Sequence, residues 1–433
     1  MKRLPLVLLL LARVWAQSDP AVEVGVEQRV RNENWNNISD WSDSTNDQRN
    51  QVRYRTRLWT KIPVSDNFEF VVGLNQESNV INGRANRFDE IVFETAYVDV
   101  KRLFHKSLSL RVGRQNLMKG EGFLLLEGNP WDGSRTIYQN AAVLTYTRKK
   151  STLDFIGILD PAYDSQLPRI HDQHRMLQEW DDSALGAYYT NNDFKNTTIE
   201  AYYVYNKEVY DVRAKSNFQF QPDRHNHTTG GRVTRLLGAG YTAVGEFAVQ
   251  RGAKHGGVET AGWGGYGYLK KTLDVRTKPY LQAGYWGMSG DNPATAGRDE
   301  GWDPLFSRWP KWSELYIYSQ VSERGVAYWS NSSIWQAEVG LAPVKRLDAR
   351  VTYYHMGAYQ PFAPGSAKVY AAGTDRGDQI QARLGLTLSK DLTGHVLYER
   401  HAPGDFYQGR NAGYFMRFEL VWQHRWRHAG ALL

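Results

Sequence analysis

The sequence predicts an all-β fold: a closed, antiparallel, up-and-down barrel of about eighteen strands spanning a membrane. Three observations predict it. Apolar and polar residues alternate with period two in segments of about ten residues. The links between these segments alternate, short with long, along the whole chain. After residue 16 no run of about 18 apolar residues exists, which excludes helical spans.

The N-terminus, MKRLPLVLLLLARVWA, sets the compartment. Lys2 and Arg3 precede a short apolar core, Leu4 to Ala12, and Val14-Trp15-Ala16 offers a small-residue cleavage site. Residues 1–16 are therefore expected to be a secretory signal peptide, with 17–433 forming one barrel domain. The 433 residues contain no cysteine, so a disulfide scaffold and a thiolate zinc site are excluded. The net charge of +7 falls to a small positive balance once Lys2, Arg3 and Arg13 are removed. That balance, with no supporting motif, gives no reason to expect a nucleic-acid partner. The expected location is the outer membrane of a Gram-negative bacterium, with lipid and lipopolysaccharide as neighbours.

The elements follow in order. Val22, Val24, Val26 and Val30 alternate with Glu23, Glu27, Arg29 and Arg31. In 51–62, Val52, Tyr54, Leu58 and Ile62 oppose Gln51, Arg53, Arg55, Arg57 and Lys61. Strands are expected at 67–76, 91–101, 107–115, 139–149, 152–160, 184–191, 197–206, 231–237, 239–250, 260–270, 277–288, 333–341, 346–356, 379–388 and 392–400. The last strand sets Tyr414, Met416, Phe418, Leu420 and Trp422 against Arg417, Glu419 and Gln423. Short links at 63–66, 102–106, 150–151, 192–196, 238, 271–276, 342–345 and 389–391 read as periplasmic turns. Long links at 32–50, 77–90, 116–138, 161–183, 207–230, 251–259, 289–332, 357–378 and 401–412 read as extracellular loops. Segment 313–330 is placed in a loop, since an odd strand count would break the parity.

Solvation decides which face meets lipid. A charged side chain at the bilayer midplane costs about 2–4 kcal/mol, so Arg53, Arg55 and Arg57 must line a wet lumen. Arg111, Arg350, Arg383 and Arg417 fall on the same face of other strands. Guanidinium groups keep their charge and grip carboxylates as a planar fork. Such a lumen either favours anions or braces itself against Glu69, Glu246, Glu338 and Glu419, and both roles can coexist. Tyr and Trp, 26 and 15 in number, supply interfacial girdles.

Residues 111–138 leave a strand as a glycine-rich loop whose Leu124-Leu125-Leu126 is too apolar for open water. A loop folded back into the barrel explains it and brings Arg114, Lys119 and Arg135 near a constriction. Asp291, Asp299 and Asp303 form a weak calcium-like pattern that a solvated loop explains better. His171, His174, His225 and His227 lie in long links, without a third ligand. No metal, cofactor or catalytic constellation is expected: GxSxG, the P-loop and the dinucleotide fingerprint are absent, and no local pattern brings a serine to His355 on the strand at 346–356.

Several stretches resemble the alginate export family of outer-membrane barrels. They are Arg111-Val-Gly-Arg-Gln with Asn129-Pro-Trp-Asp-Gly-Ser-Arg135; Tyr241, Glu246 and Gln250; and Lys278-Pro279 with Ser289-Gly290-Asp291 and Trp302-Asp303-Pro304-Leu305-Phe306. The resemblance runs in order through nearly the whole mature chain. It implies a monomeric eighteen-stranded barrel, an arginine-lined electropositive pore, and export of a polyuronate delivered from the inner membrane with periplasmic export components. It carries over Arg114 and Arg135 as pore-lining. The resulting expectation is passive, arginine-assisted passage of an anionic polysaccharide; the alternative is a general or small-anion or sugar porin for uptake.

Overall fold

A computed structural model describes residues 21–86, 91–127, 138–168, 170, 180–210, 223–307, 312–315, 323, 328–362 and 369–428. Eighteen long antiparallel strands are found among them: β1 (Val22–Asn36), β2 (Arg49–Ser65), β3 (Phe68–Ile81), β4 (Ile91–Val100), β5 (Leu108–Gln115), β6 (Gln139–Arg148), β7 (Ser151–Asp160), β8 (Asp181–Asn191) and β9 (Thr197–Val209). The second half comprises β10 (Asp223–Gly238), β11 (Tyr241–Lys254), β12 (Trp263–Thr272), β13 (Tyr280–Met288), β14 (Ser332–Val344), β15 (Leu347–Gly357), β16 (Asp375–Thr387), β17 (Leu392–Pro403) and β18 (Gly413–His428). Each pairs with its sequence neighbour, and β1 pairs with β18 from Val22↔His428 to Asn36↔Tyr414, so the sheet closes without an edge. The segments Arg84–Asn86, Val258–Thr260 and Arg298–Asp299 extend the same sheet at the loop end.

Every expected strand forms. The largest difference lies at 207–230, expected as one long link. There β9 continues to Val209 and β10 begins at Asp223, so His225 and His227 sit on a strand and not in a loop. The outward residues of this extension include Lys207, Asp223, His225, His227 and Thr229, whose polarity hides the period-two signal. Residues 313–315, 323 and 328–330, from the segment placed in a loop, form no strand. No helix among the described residues is long and apolar enough to cross a membrane.

The two faces separate as solvation demands. Tyr54, Leu58, Phe155, Leu185, Phe247, Leu281, Trp335, Ile380 and Leu420 are exposed on the outer wall. Arg29, Arg31, Arg53, Arg55 and Arg417 are buried on the inner face. The barrel interior is not empty. An apolar cluster joins inner-wall residues such as Tyr188, Tyr202, Tyr266 and Ile334 to Phe123, Leu124, Leu125, Trp302, Phe306, Trp312 and Trp329, all of which come from links between strands.

Candidate functional site: the lumen wall and its inward segments

The wall of β1, β2, β3 and β18 carries the densest charge. Register sets Arg29 opposite Arg55 and Arg31 opposite Arg53. Like charges directly opposed destabilise a sheet. The neighbouring strands answer with carboxylates: Glu77 stands opposite Arg55 on β3, and Glu419 opposite Arg31 on β18. Arg29 reaches Glu77 at 3.0 Å and Arg31 reaches Glu419 at 2.6 Å. Arg55 forks onto Glu27 at 2.6 and 3.1 Å. Arg57 bridges Glu27 at 3.2 Å and Glu94. Glu33, fully buried, receives Arg53 at 3.1 Å and Arg417 at 2.6 Å, with Arg31 at 3.5 Å. Arg417 also forks onto Glu314 of an inward segment at 2.6 and 2.8 Å. The group contains six guanidiniums (Arg29, Arg31, Arg53, Arg55, Arg57, Arg417) and six carboxylates (Glu27, Glu33, Glu77, Glu94, Glu314, Glu419), so its charges balance.

The bracing partners differ from those expected. Glu419 does pair with arginine. Glu338 instead accepts from Tyr280 at 2.6 Å and Thr352 at 2.7 Å. Glu246 accepts from Tyr202 and Tyr266, both at 2.9 Å, with Arg232 at 3.8 Å. Arg111 forks onto Asp99 at 2.7 Å and lies over the Tyr97 ring. Glu69 forms no ion pair among the described residues.

Arg350 and Arg383 stand directly opposite each other on β15 and β16. Their environment is unlike the first wall. Arg383 reaches only Asp348, at 3.1 Å, and that carboxylate is exposed. Arg350 makes no ion pair or hydrogen bond among the described residues, and its Nε is buried without a partner. Asp348 is therefore the one ion-pair partner of these two adjacent guanidiniums among the described residues.

The loop after β5 folds inward. Gly120 and Gly122 adopt φ of +56° and +75°, and a Cβ on Gly122 would stand 2.9 Å from Leu126, so the turn needs glycine. Leu124, Leu125 and Leu126 are buried, which explains their apolarity. The loop is tied to the wall by charge: Lys119 meets Asp154, and Glu121 accepts from Arg232 and Tyr268, both at 2.8 Å. Its tip meets two more inward segments. Leu126 donates its amide to the Phe306 carbonyl at 3.3 Å, Ser307 donates to the Gly122 carbonyl at 2.5 Å, and Trp329 donates to the Ser307 carbonyl at 2.6 Å. Phe123 stacks on Trp302 at 5.1 Å, and Trp329 meets Trp312 at 5.2 Å. Ser313 then donates to Glu399 at 2.9 Å, beside the Glu314–Arg417 pair. One packed chain of side chains thus runs across the lumen from Arg232 on β10 to Arg417 on β18.

Arg114, placed near this constriction by the sequence, is buried; it forks onto Asp164 at 2.7 Å and lies 3.9 Å from the Tyr138 ring centre. Burial raises the Asp164 carboxyl, but hydrogen bonding and charge from Arg114, with the amides of Leu167 and Gln166, outweigh it and hold the group below the usual carboxylate range. Arg135, His171 and His174 lie outside the described residues. The three loop aspartates do not converge. Asp299 takes Lys254 at 2.8 Å, Asp303 takes Arg224 at 3.0 Å, and Asp291 accepts the Glu300 amide at 3.3 Å. Asp299 and Asp303 are buried, not solvated as expected. No metal-ligating group of three is present among the described residues. His355 faces outward and pairs with Asp378 at 2.9 Å. Sequence reasoning missed Arg232, Glu121, Trp312 and Trp329, and met Trp302 only within the family resemblance; the concentration of tryptophan in a long link was the available signal.

A sealed antiparallel cylinder with an apolar outer belt and a charged interior defines an outer-membrane β-barrel channel, with the long links extracellular and the short turns periplasmic. The chain belongs to the alginate export family, whose model matches residues 21–417. No curated protein sequence matches it. Its fold is similar to solved Pseudomonas aeruginosa barrels. OccK5 (OpdH) is 11% identical with a TM-score of 0.58, covering 95% of this chain and 100% of that one. OccK2 (OpdF), in complex with glucuronate, is 12% identical with a TM-score of 0.58, covering 93% and 98%. OprD is 13% identical with a TM-score of 0.55, covering 96% and 98%. Family and fold are those of a transport channel.

Proposed function

We propose that the channel passes an anionic, carboxylate-bearing saccharide, an alginate-like polyuronate, by passive diffusion assisted by lumen arginines. The observation that carries this reading is the Arg350/Arg383 pair. Two guanidiniums held side by side, with one exposed Asp348 beside Arg383, have donors to spare for a passing carboxylate. The paired arginines, Arg53, Arg55, Arg57, Arg111, Arg114 and Arg417, hold the wall and present a balanced charge. Binding at a single solvated pair stays weak, as a conduit requires.

The inward segments bear on solute size. With Phe123, Trp302, Trp312 and Trp329 packed across the lumen, a polymer passes only if this packing opens, whereas a small uronate can slip beside it. That observation favours the second reading, a porin for small anions or sugars, and the barrel solved with glucuronate fits the same chemistry. Block of single-channel current by a size series of oligouronates separates the two. Polymer passage predicts brief, length-dependent blocks by chains of ten or more units added from the periplasmic side. Small-solute passage predicts block by mono- and disaccharides alone. No block by any uronate overturns both.

A further inference from the structure

The outer wall carries one feature that passage through the lumen does not use. At the extracellular ends of β9, β10 and β11, the outward positions hold Lys207, His225, His227 and Arg251. Lys207 stands opposite His225 and Tyr205 opposite His227, while His227 stands opposite Arg251. Lys207, His227 and Arg251 are exposed. The Tyr203 hydroxyl meets His227 Nδ1 at 2.6 Å, leaving Nε2 as the ring's remaining polar atom. Arg251 donates to the Gln250 carbonyl at 2.7 Å, and neither it nor Lys207 has an ion-pair partner among the described residues. The nearest outward carboxylates among the described residues are one register step further out and engaged: Glu259, opposite Ala253, faces Arg298 at 3.9 Å, Asp223 faces His255 at 3.3 Å, and Asp181 accepts the Ala162 amide at 2.7 Å. On the far wall the corresponding outward group is neutralised, since Tyr353 and His355 both meet Asp378.

Directly below lies a groove of about 430 Å³ on the lipid-facing surface. Its floor is Gly231, Gly245, Gly265 and Gly287, and its walls are Phe247 and Trp263, stacked at 6.1 Å. Phe247 is four residues from Arg251 on the same strand, about 13 Å at 3.3 Å per residue. Cations at headgroup height above an apolar trough match the two ends of an anionic lipid.

We propose that this face holds one phosphorylated glycolipid of the outer leaflet: Lys207, His227 and Arg251 take its phosphate, and an acyl chain lies in the glycine groove. The proposal rests on the outer-membrane placement of the barrel and is independent of what the lumen carries. Arginine and lysine bind phosphate through charge-assisted hydrogen bonds, and an acyl chain in the groove adds apolar burial.

The test is native mass spectrometry of the purified barrel with bisphosphorylated lipid A, the same lipid stripped of phosphate, and inorganic phosphate as competitor. One lipid A per barrel is expected. The double variant Lys207→Gln/Arg251→Gln weakens it by about 25-fold, roughly five-fold per cation, and removal of the phosphates does the same. Gly245→Leu fills the groove from a position where a new Cβ meets nothing closer than 3.9 Å; it lowers lipid A binding without shifting the melting temperature. Equal binding by the double variant, equal binding of the dephosphorylated lipid, or displacement by millimolar inorganic phosphate overturns the proposal. Reversal potential, read on the same variants, stays unchanged, so failure here is distinguishable from failure of the lumen reading.

Discussion

The arginines of β1, β2 and β18 and those of β15 and β16 share a residue type and a face of the barrel, yet they stand in opposite circumstances. On the first wall, Arg29, Arg31, Arg53, Arg55 and Arg417 are almost wholly buried and each meets a glutamate. On the second, Arg350 and Arg383 face each other across one strand pair with a single exposed aspartate. Chemical identity does not assign the role; the count and burial of neighbouring carboxylates do. A guanidinium with its acceptors in place is a brace. One that lacks them attracts an anion.

The largest effect expected from breaking this contrast is on the brace. Glu33→Ala leaves Arg31, Arg53 and Arg417 around a buried vacancy. Breaking a buried pair costs about 3–5 kcal/mol, so the variant barrel should unfold at markedly lower temperature in a heat-modifiability gel. Next is the packing across the lumen. Deleting residues 119–125 removes the Phe123–Trp302 stack and the Glu121 anchor to Arg232 and Tyr268; single-channel conductance should rise several-fold while the barrel stays folded. Third is the second wall. Arg350→Gln and Arg383→Gln should each reduce anion preference by about five-fold, the effect of roughly 1 kcal/mol from one charge in a wet lumen, with thermal stability unchanged.

The smallest effect concerns acid. The Asp164 carboxyl is held below its ordinary value when folded. A depressed folded pKa contributes stability that is present above the unfolded value, near 3.9, and is lost as pH falls through the folded one. The stability difference between the native chain and Asp164→Asn should therefore be flat from pH 8 to about pH 5 and shrink only below about pH 4. A difference that already shrinks between pH 7 and pH 6 would contradict the Arg114–Asp164 account.

Much of this architecture is legible in the sequence, because a closed barrel forces its solvation onto a period of two. Arg53, Arg55 and Arg57 can face only inward, and Leu124-Leu125-Leu126 can be buried only if their loop turns in. The partners were not legible. Arg31 and Glu419 are 388 residues apart, and their meeting depends on closure and register, which no local pattern encodes. The β9–β10 extension was missed for a different reason: its outward face carries Lys207, His225 and His227, so polarity alternates with polarity and the period disappears. The sequence reads 289–306 as a solvated loop because Asp291, Asp299 and Asp303 outweigh Trp302 locally, whereas the structure buries Asp299 and Asp303 on Lys254 and Arg224.

The contrast between the two walls is tested most directly by reversal potential across a planar bilayer under a salt gradient, with the native channel and the Arg350→Gln/Arg383→Gln double variant side by side. The account predicts a native potential on the anion-preferring side and a clear shift toward zero in the double variant, with Arg53→Gln changing stability but not sign. A cation-preferring native channel, or a double variant indistinguishable from it, would contradict the account.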